Sequence, residues 1–151
     1  MRRPATRLTI LATAALLALP AAASARPVPW GGNGANDLGP ASVLLSVQNG
    51  RATVTNVQMV LACTDAEDGS ESAGAFDARY RTAVSLHRNH YAFDFTANSG
   101  GRLGRVRIDG VLRSNGTGTA RVRINAQGHG EHGEVVDRCS GEVRLTVRRR
   151  R

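Results

Sequence analysis

The sequence contains no lysine: all 20 basic residues are arginine. Arginine codons are GC-rich and lysine codons are not, so this usage marks a GC-rich coding sequence. The abundance of alanine and glycine fits the same bias, and arginine content alone is therefore a poor functional signal. Aromatic residues make up only 4% of the chain, which argues against a nucleic-acid binder that stacks bases on exposed rings. No Gly-x-Ser-x-Gly elbow is present to carry a hydrolase serine. No Cys-x-x-Cys occurs, and one cysteine pair does not complete a structural zinc site without histidines at suitable spacing. No apolar run reaches the roughly 20 residues of a membrane-spanning helix.

What is present at the N-terminus is an export signal. A basic start, Met1-Arg2-Arg3-Pro4-Ala5-Thr6-Arg7, precedes the apolar run Leu8 to Leu19, which Pro20 breaks. Ala23-Ser24-Ala25 then offers the small residues of a signal-peptidase site, so residues 1–25 are expected to be cleaved and the mature chain to begin near Arg26. Pro4-Ala5-Thr6 does not follow the twin-arginine consensus, and no cysteine lies at the cleavage site for a lipid anchor. The expected location is extracellular, with no membrane span in the mature form.

Most of the net charge of +8 sits at the two ends. Arg2, Arg3 and Arg7 leave with the signal, and Arg148, Arg149, Arg150 and Arg151 form a basic tail. Residues 26–147 therefore carry only about +1. Cys63 and Cys139 in an oxidising compartment are expected to pair. The remaining 126 residues suffice for one domain burying roughly two-thirds of its unfolded surface.

Residues 26–41, rich in proline and glycine and holding the single tryptophan Trp30, lack periodicity and read as a flexible lead-in. Alternation then predicts strands over residues 42–147. Val43, Leu45 and Val47 share one parity, and Asn49-Gly50 is a hairpin turn. Val54 and the series Val57, Met59, Leu61, Cys63 have opposite parity, which requires a β-bulge near Thr55-Asn56. Thr64 to Ala78 reads as an acidic loop whose carboxylates do not fall at the alternating positions of a calcium loop. A second hairpin is expected from Arg79 to Thr96 around His87-Arg88-Asn89-His90. In a third, Leu112 pairs with Ala120 and Ile108 with Ile124, which places Asp109 opposite Arg123. Asp137 to Val147 closes the series. About seven short strands without a helical period argue for an antiparallel β-sandwich or a partly open barrel with one disulfide.

Three constellations remain. Arg105, Arg107, Arg113, Arg121 and Arg123 share the outer face of the third hairpin. With Arg148–Arg151 they form a candidate surface for phosphate- or carboxylate-rich polymer, because guanidinium forks match those groups. His129, Glu131 and His132 lie within a Gly-rich loop and are the only metal candidates. His87 and His90 join them only if the two loops share one end of the domain. The acidic residues do not suggest a facing carboxylate pair of the glycosidase kind. Asn115-Gly116-Thr117 matches a glycosylation sequon, which is relevant only in a eukaryotic pathway.

With its signal peptide, Gly50-Arg51-Ala52-Thr53-Val54, the strand ending at Cys63 and the closing Cys139-Ser140-Gly141-Glu142-Val143, the chain resembles small uncharacterised secreted proteins of high-GC Gram-positive bacteria. The similarity spans residues 43–147 and implies fold and export but no activity. Secreted protease inhibitors of such bacteria are of similar size but carry two disulfides. The expectation is a secreted non-enzymatic protein of unknown function, an envelope or extracellular binding module without cofactor or specific nucleic acid. An anionic envelope polymer is its candidate partner, and a plain solvated arginine face is the simpler reading. The alternatives are a small metal-dependent hydrolase using His129 and His132, and an inhibitor or interaction protein.

Overall fold

The computed structural model describes residues 25–151. The expected signal peptide lies outside the described residues apart from Ala25. Eight strands follow one another: β1 Val28–Asn36, β2 Gly39–Gln48, β3 Arg51–Asp65, β4 Glu71–Ser85, β5 His90–Ser99, β6 Arg102–Leu112, β7 Thr117–His129 and β8 Val135–Arg149. They form one antiparallel sheet in the order β4-β3-β2-β1-β8-β7-β6-β5. Chain order is broken only where β1 meets β8, at Trp30↔Arg149 and Gly31↔Arg148. Towards the opposite end β3 pairs directly with β8, from Ala62↔Ser140 to Asp65↔Asp137.

The two edge strands, β4 and β5, share no continuous ladder, yet the sheet rolls until they touch. Tyr80 of β4 stacks on Phe95 of β5 with ring centroids 4.3 Å apart and meets Phe93 edge-on at 6.2 Å. The Asp77 N–H donates to Ser99 Oγ at 2.9 Å. The result is an all-β, sandwich-like barrel open along one seam, with eight strands where about seven were expected. Alternate residues fill its interior, among them Val43, Leu45, Met59, Phe76, Ile108 and Ile124. The outward rows are polar and charged, the reverse of the arrangement in a membrane-spanning barrel. No described helix is long and apolar enough to cross a membrane.

Local chemistry explains the elements that were expected. Asn49 and Gly50 both take positive φ, 50° and 69°, between the paired Gln48 and Arg51, as a two-residue turn requires. Leu44 pairs with Asn56 but Leu45 with Val54, so Thr55 is the extra residue of a bulge. That insertion turns both Val54 and Val57 inward, where each is at most 1% exposed.

Other boundaries differ from the sequence reading. The lead-in is strand: β1 and the start of β2 occupy residues 28–41. Gly31, Gly32 and Gly34 carry no side chains to show a period, and they are needed because a Cβ there would strike Arg150, Thr146 O and Leu145. Trp30 docks on the core and is 7% exposed. The expected loop over Thr64 to Ala78 shrinks to a turn in which Asp65 Oδ1 accepts the N–H groups of Glu67 and Asp68. Strand β4 starts at Glu71; its first three residues are exposed, and inward alternation begins only with Gly74, Phe76 and Ala78. The expected hairpin from Arg79 to Thr96 is the open seam, bridged only at His87↔His90.

In the third hairpin the register moves by two: Leu112 pairs with Gly118 and Ile108 with Val122. A slip of two keeps every side chain on its face, so alternation alone cannot detect it. The turn decides, with the Arg113 N–H donating to Thr117 O at 2.8 Å and Gly116 at φ 81°. Strand β8 also takes in Arg148 and Arg149 of the basic tail. Beyond the ladder that ends at Arg149, the Arg149 N–H donates to Gly116 O at 2.9 Å and the Arg150 N–H to Pro29 O at 2.8 Å.

Candidate functional site

An up-and-down meander sends alternate turns to opposite ends of the barrel. One end receives the first described residues, the C-terminus and the β2–β3, β4–β5 and β6–β7 turns. Arg26, Arg51, Arg88, Arg113, Arg148, Arg149, Arg150 and Arg151 all stand there, exposed, with His87 and His90. None of these turns or termini contains an Asp or Glu among the described residues. The other end receives the β1–β2, β3–β4, β5–β6 and β7–β8 turns, and it collects Asp37, Asp65, Glu67, Asp68, Glu71, Glu131, Glu134 and Asp137 against Arg102 and Arg138. A body with a net charge near zero is thus strongly polarised. Backbone hydrogen bonds hold Arg149 and Arg150 at the basic end, so these charges project from fixed positions.

The outer arginine face is a different environment. Arg105 forks onto Asp94 at 2.8 and 2.7 Å, and Arg107 Nε reaches the same carboxylate at 3.2 Å. Arg121 forks onto Glu142 at 2.7 and 3.0 Å. Arg123 reaches Asp109 at 3.0 Å across a diagonal, because the shifted register sets Asp109 directly opposite Arg121. The Arg105 hydrogen bond holds the Asp94 carboxyl down at about 2, and Arg121 lowers that of Glu142. These carboxylates stay ionised and occupy the forks that an external anion would use. Of the arginines expected to bind anions, Arg105, Arg107, Arg121 and Arg123 are all engaged within the sheet, by three carboxylates, with Arg105 and Arg107 sharing Asp94. Arg148–Arg151 stand at the end without acids.

The metal candidates do not converge on a site. His129, Glu131 and His132 are exposed at the acidic end, where the His132 N–H donates to Glu134 Oε2 at 3.0 Å. His87 and His90 lie at the opposite end of the barrel, so the two histidine pairs cannot meet. Among the described residues, one group of three ligand-type side chains lies close together: Cys63, Asp137 and Cys139. Its sulfurs are joined in the expected disulfide, which ties β3 to β8 at directly opposed positions. Asp137 is bound by Arg102 at 2.5 Å and by the Gly128 N–H at 2.9 Å. The Arg102 hydrogen bond keeps its carboxyl below the usual range, and no free ligand set remains there.

Comparison with protein families, curated proteins and solved structures finds no match. Arg26, Arg51 and Arg88 went unnoticed in the sequence because each is an isolated arginine far from the next. The signal that reveals them is the parity of the turns: numbered in order, basic turns alternate with acidic or neutral ones.

Proposed function

We propose that the protein is a secreted, non-enzymatic binding module that takes an anionic envelope polymer at its arginine-bearing end. The observation that carries this reading is the gathering of Arg26, Arg51, Arg88, Arg113 and Arg148–Arg151 at one end whose turns hold no carboxylate among the described residues. Exposed guanidiniums that no carboxylate pairs attract polyanions through release of condensed counterions and through bidentate hydrogen bonds, and Arg51 among them spends one donor on Ala83 O. The disulfide supports placement in an oxidising compartment.

Co-sedimentation of the mature protein with envelope material from a high-GC Gram-positive bacterium tests the reading. Binding at low salt is expected, with release as salt rises. R88Q/R113Q/R150Q/R151Q is expected to stay in the supernatant. Salt-insensitive binding, or a variant that pellets like the parent, contradicts it.

A further inference from the structure

Beside the basic end, the outer face of β5–β8 carries a trough of about 880 Å³. The sheet register explains its shape. One outward row across the four strands is His90–Val111–Thr119–Thr146, in which the last three side chains are short. The next row inward is Ala92–Asp109–Arg121–Arg144, where the side chains from Asp109 to Arg144 rise as one bank. Beyond the row of short side chains stands Arg148, paired with Thr117. His87 and His90 close the β5 side.

The charges in the trough are unequal. The charge of Arg121 is answered by Glu142 and that of Asp109 by Arg123. Arg144 has no carboxylate within ion-pair distance among the described residues. The trough therefore offers one unpaired guanidinium, two imidazoles and the neighbouring hydroxyls of Thr119 and Thr146. It offers no phenyl or indole face: Tyr91, the only Phe, Tyr or Trp at its wall, is 3% exposed and donates its hydroxyl to Thr119 O at 2.9 Å. The two imidazoles stand at the β5 side, so the Thr119–Thr146 floor has no ring for a sugar or nucleobase to stack on, whereas an acyclic polyol phosphate needs none.

Resting on the polymer-binding reading above, we propose that this trough seats a phosphodiester-linked polyol segment, its phosphate on Arg144 and its hydroxyl groups on Thr119 and Thr146. The trough then supplies selectivity among the polyanions that the basic end attracts. The test measures fluorescence anisotropy of labelled poly(glycerol phosphate) fragments and of heparin oligosaccharides of equal charge. T119V/T146V keeps the β-branched shape and removes only the hydroxyls, and equal thermal midpoints confirm that the fold is retained.

The parent is expected to prefer glycerol phosphate. T119V/T146V is expected to lose about tenfold of that affinity while binding heparin as before, and R144Q to lose affinity in the same direction. If both polymers bind equally and T119V/T146V changes neither, the trough is not the site, although the basic end still binds polyanions. If neither polymer binds, both readings fall together.

Discussion

Replacing both cysteines, as C63A/C139A, cuts the one covalent link across the barrel. The two residues are 76 apart in sequence and directly opposed in the β3–β8 ladder. Each is buried, at 1% and 3% exposure. The bridge closes a long loop in the denatured chain, and the chain-entropy model gives about 4.5 kcal/mol for a loop of that length. The backbone ladder from Ala62 to Asp65 remains available, so the variant should fold to the same structure with a smaller margin. For a domain of this size the loss corresponds to a fall of about 15 °C in the unfolding midpoint. Urea unfolding of parent and variant, followed by far-UV circular dichroism, measures the difference directly. The parent under reducing conditions should match the variant. A loss below about 1 kcal/mol would refute the loop-closure reasoning and mean that the denatured chain keeps these strands together without the bond.

The seam between β4 and β5 depends on Tyr80, so Y80A should cost about 2–3 kcal/mol and speed hydrogen exchange selectively in those two strands. At Gly110 a Cβ would collide with Thr119 O and the Tyr91 hydroxyl. G110A is therefore expected to lose about 2 kcal/mol or more in thermal unfolding. Asp94 is depressed from 3.8 to about 2 by Arg105. The stability it contributes is present above the unfolded value and disappears as pH falls through the folded one. An acid titration of D94N should accordingly be flatter than the parent between those values. Added zinc should leave the unfolding midpoint unchanged, because His129, Glu131 and His132 do not converge. A rise in the midpoint that H129A/H132A abolishes would overturn this.

Much of the fold could be read directly from the residues. Asn49-Gly50 announced its turn, and the parity change between Val54 and Val57 required an insertion. Where the reading failed, the missing information was not carried by alternation. Gly31, Gly32 and Gly34 form strand without showing a period. Gly110 and Gly118 leave two registers of the third hairpin equivalent in pattern, and the bonding within residues 113–117 chooses between them. The candidate site was legible only in part. Arg148–Arg151 were visible as a run, but their fixed place beside Pro29 and Gly116 depends on the β1–β8 pairing. Arg105, Arg107 and Arg121 looked available in sequence because Asp94 and Glu142 come from strands that only the register brings alongside, whereas Asp109 was already legible as a partner of Arg123.

The central claim is that polyanion binding belongs to the basic end and the trough beside it, and not to the carboxylate-paired arginines of the outer face. The salt dependence of affinity for poly(glycerol phosphate) tests it most directly. On a plot of log affinity against log salt, R88Q/R113Q/R150Q/R151Q should flatten the slope by about one for each lost phosphate contact. R105Q/R107Q, whose guanidiniums are held by Asp94, should leave the slope unchanged. If R105Q/R107Q flattens the slope as much as the end variant does, the account is contradicted.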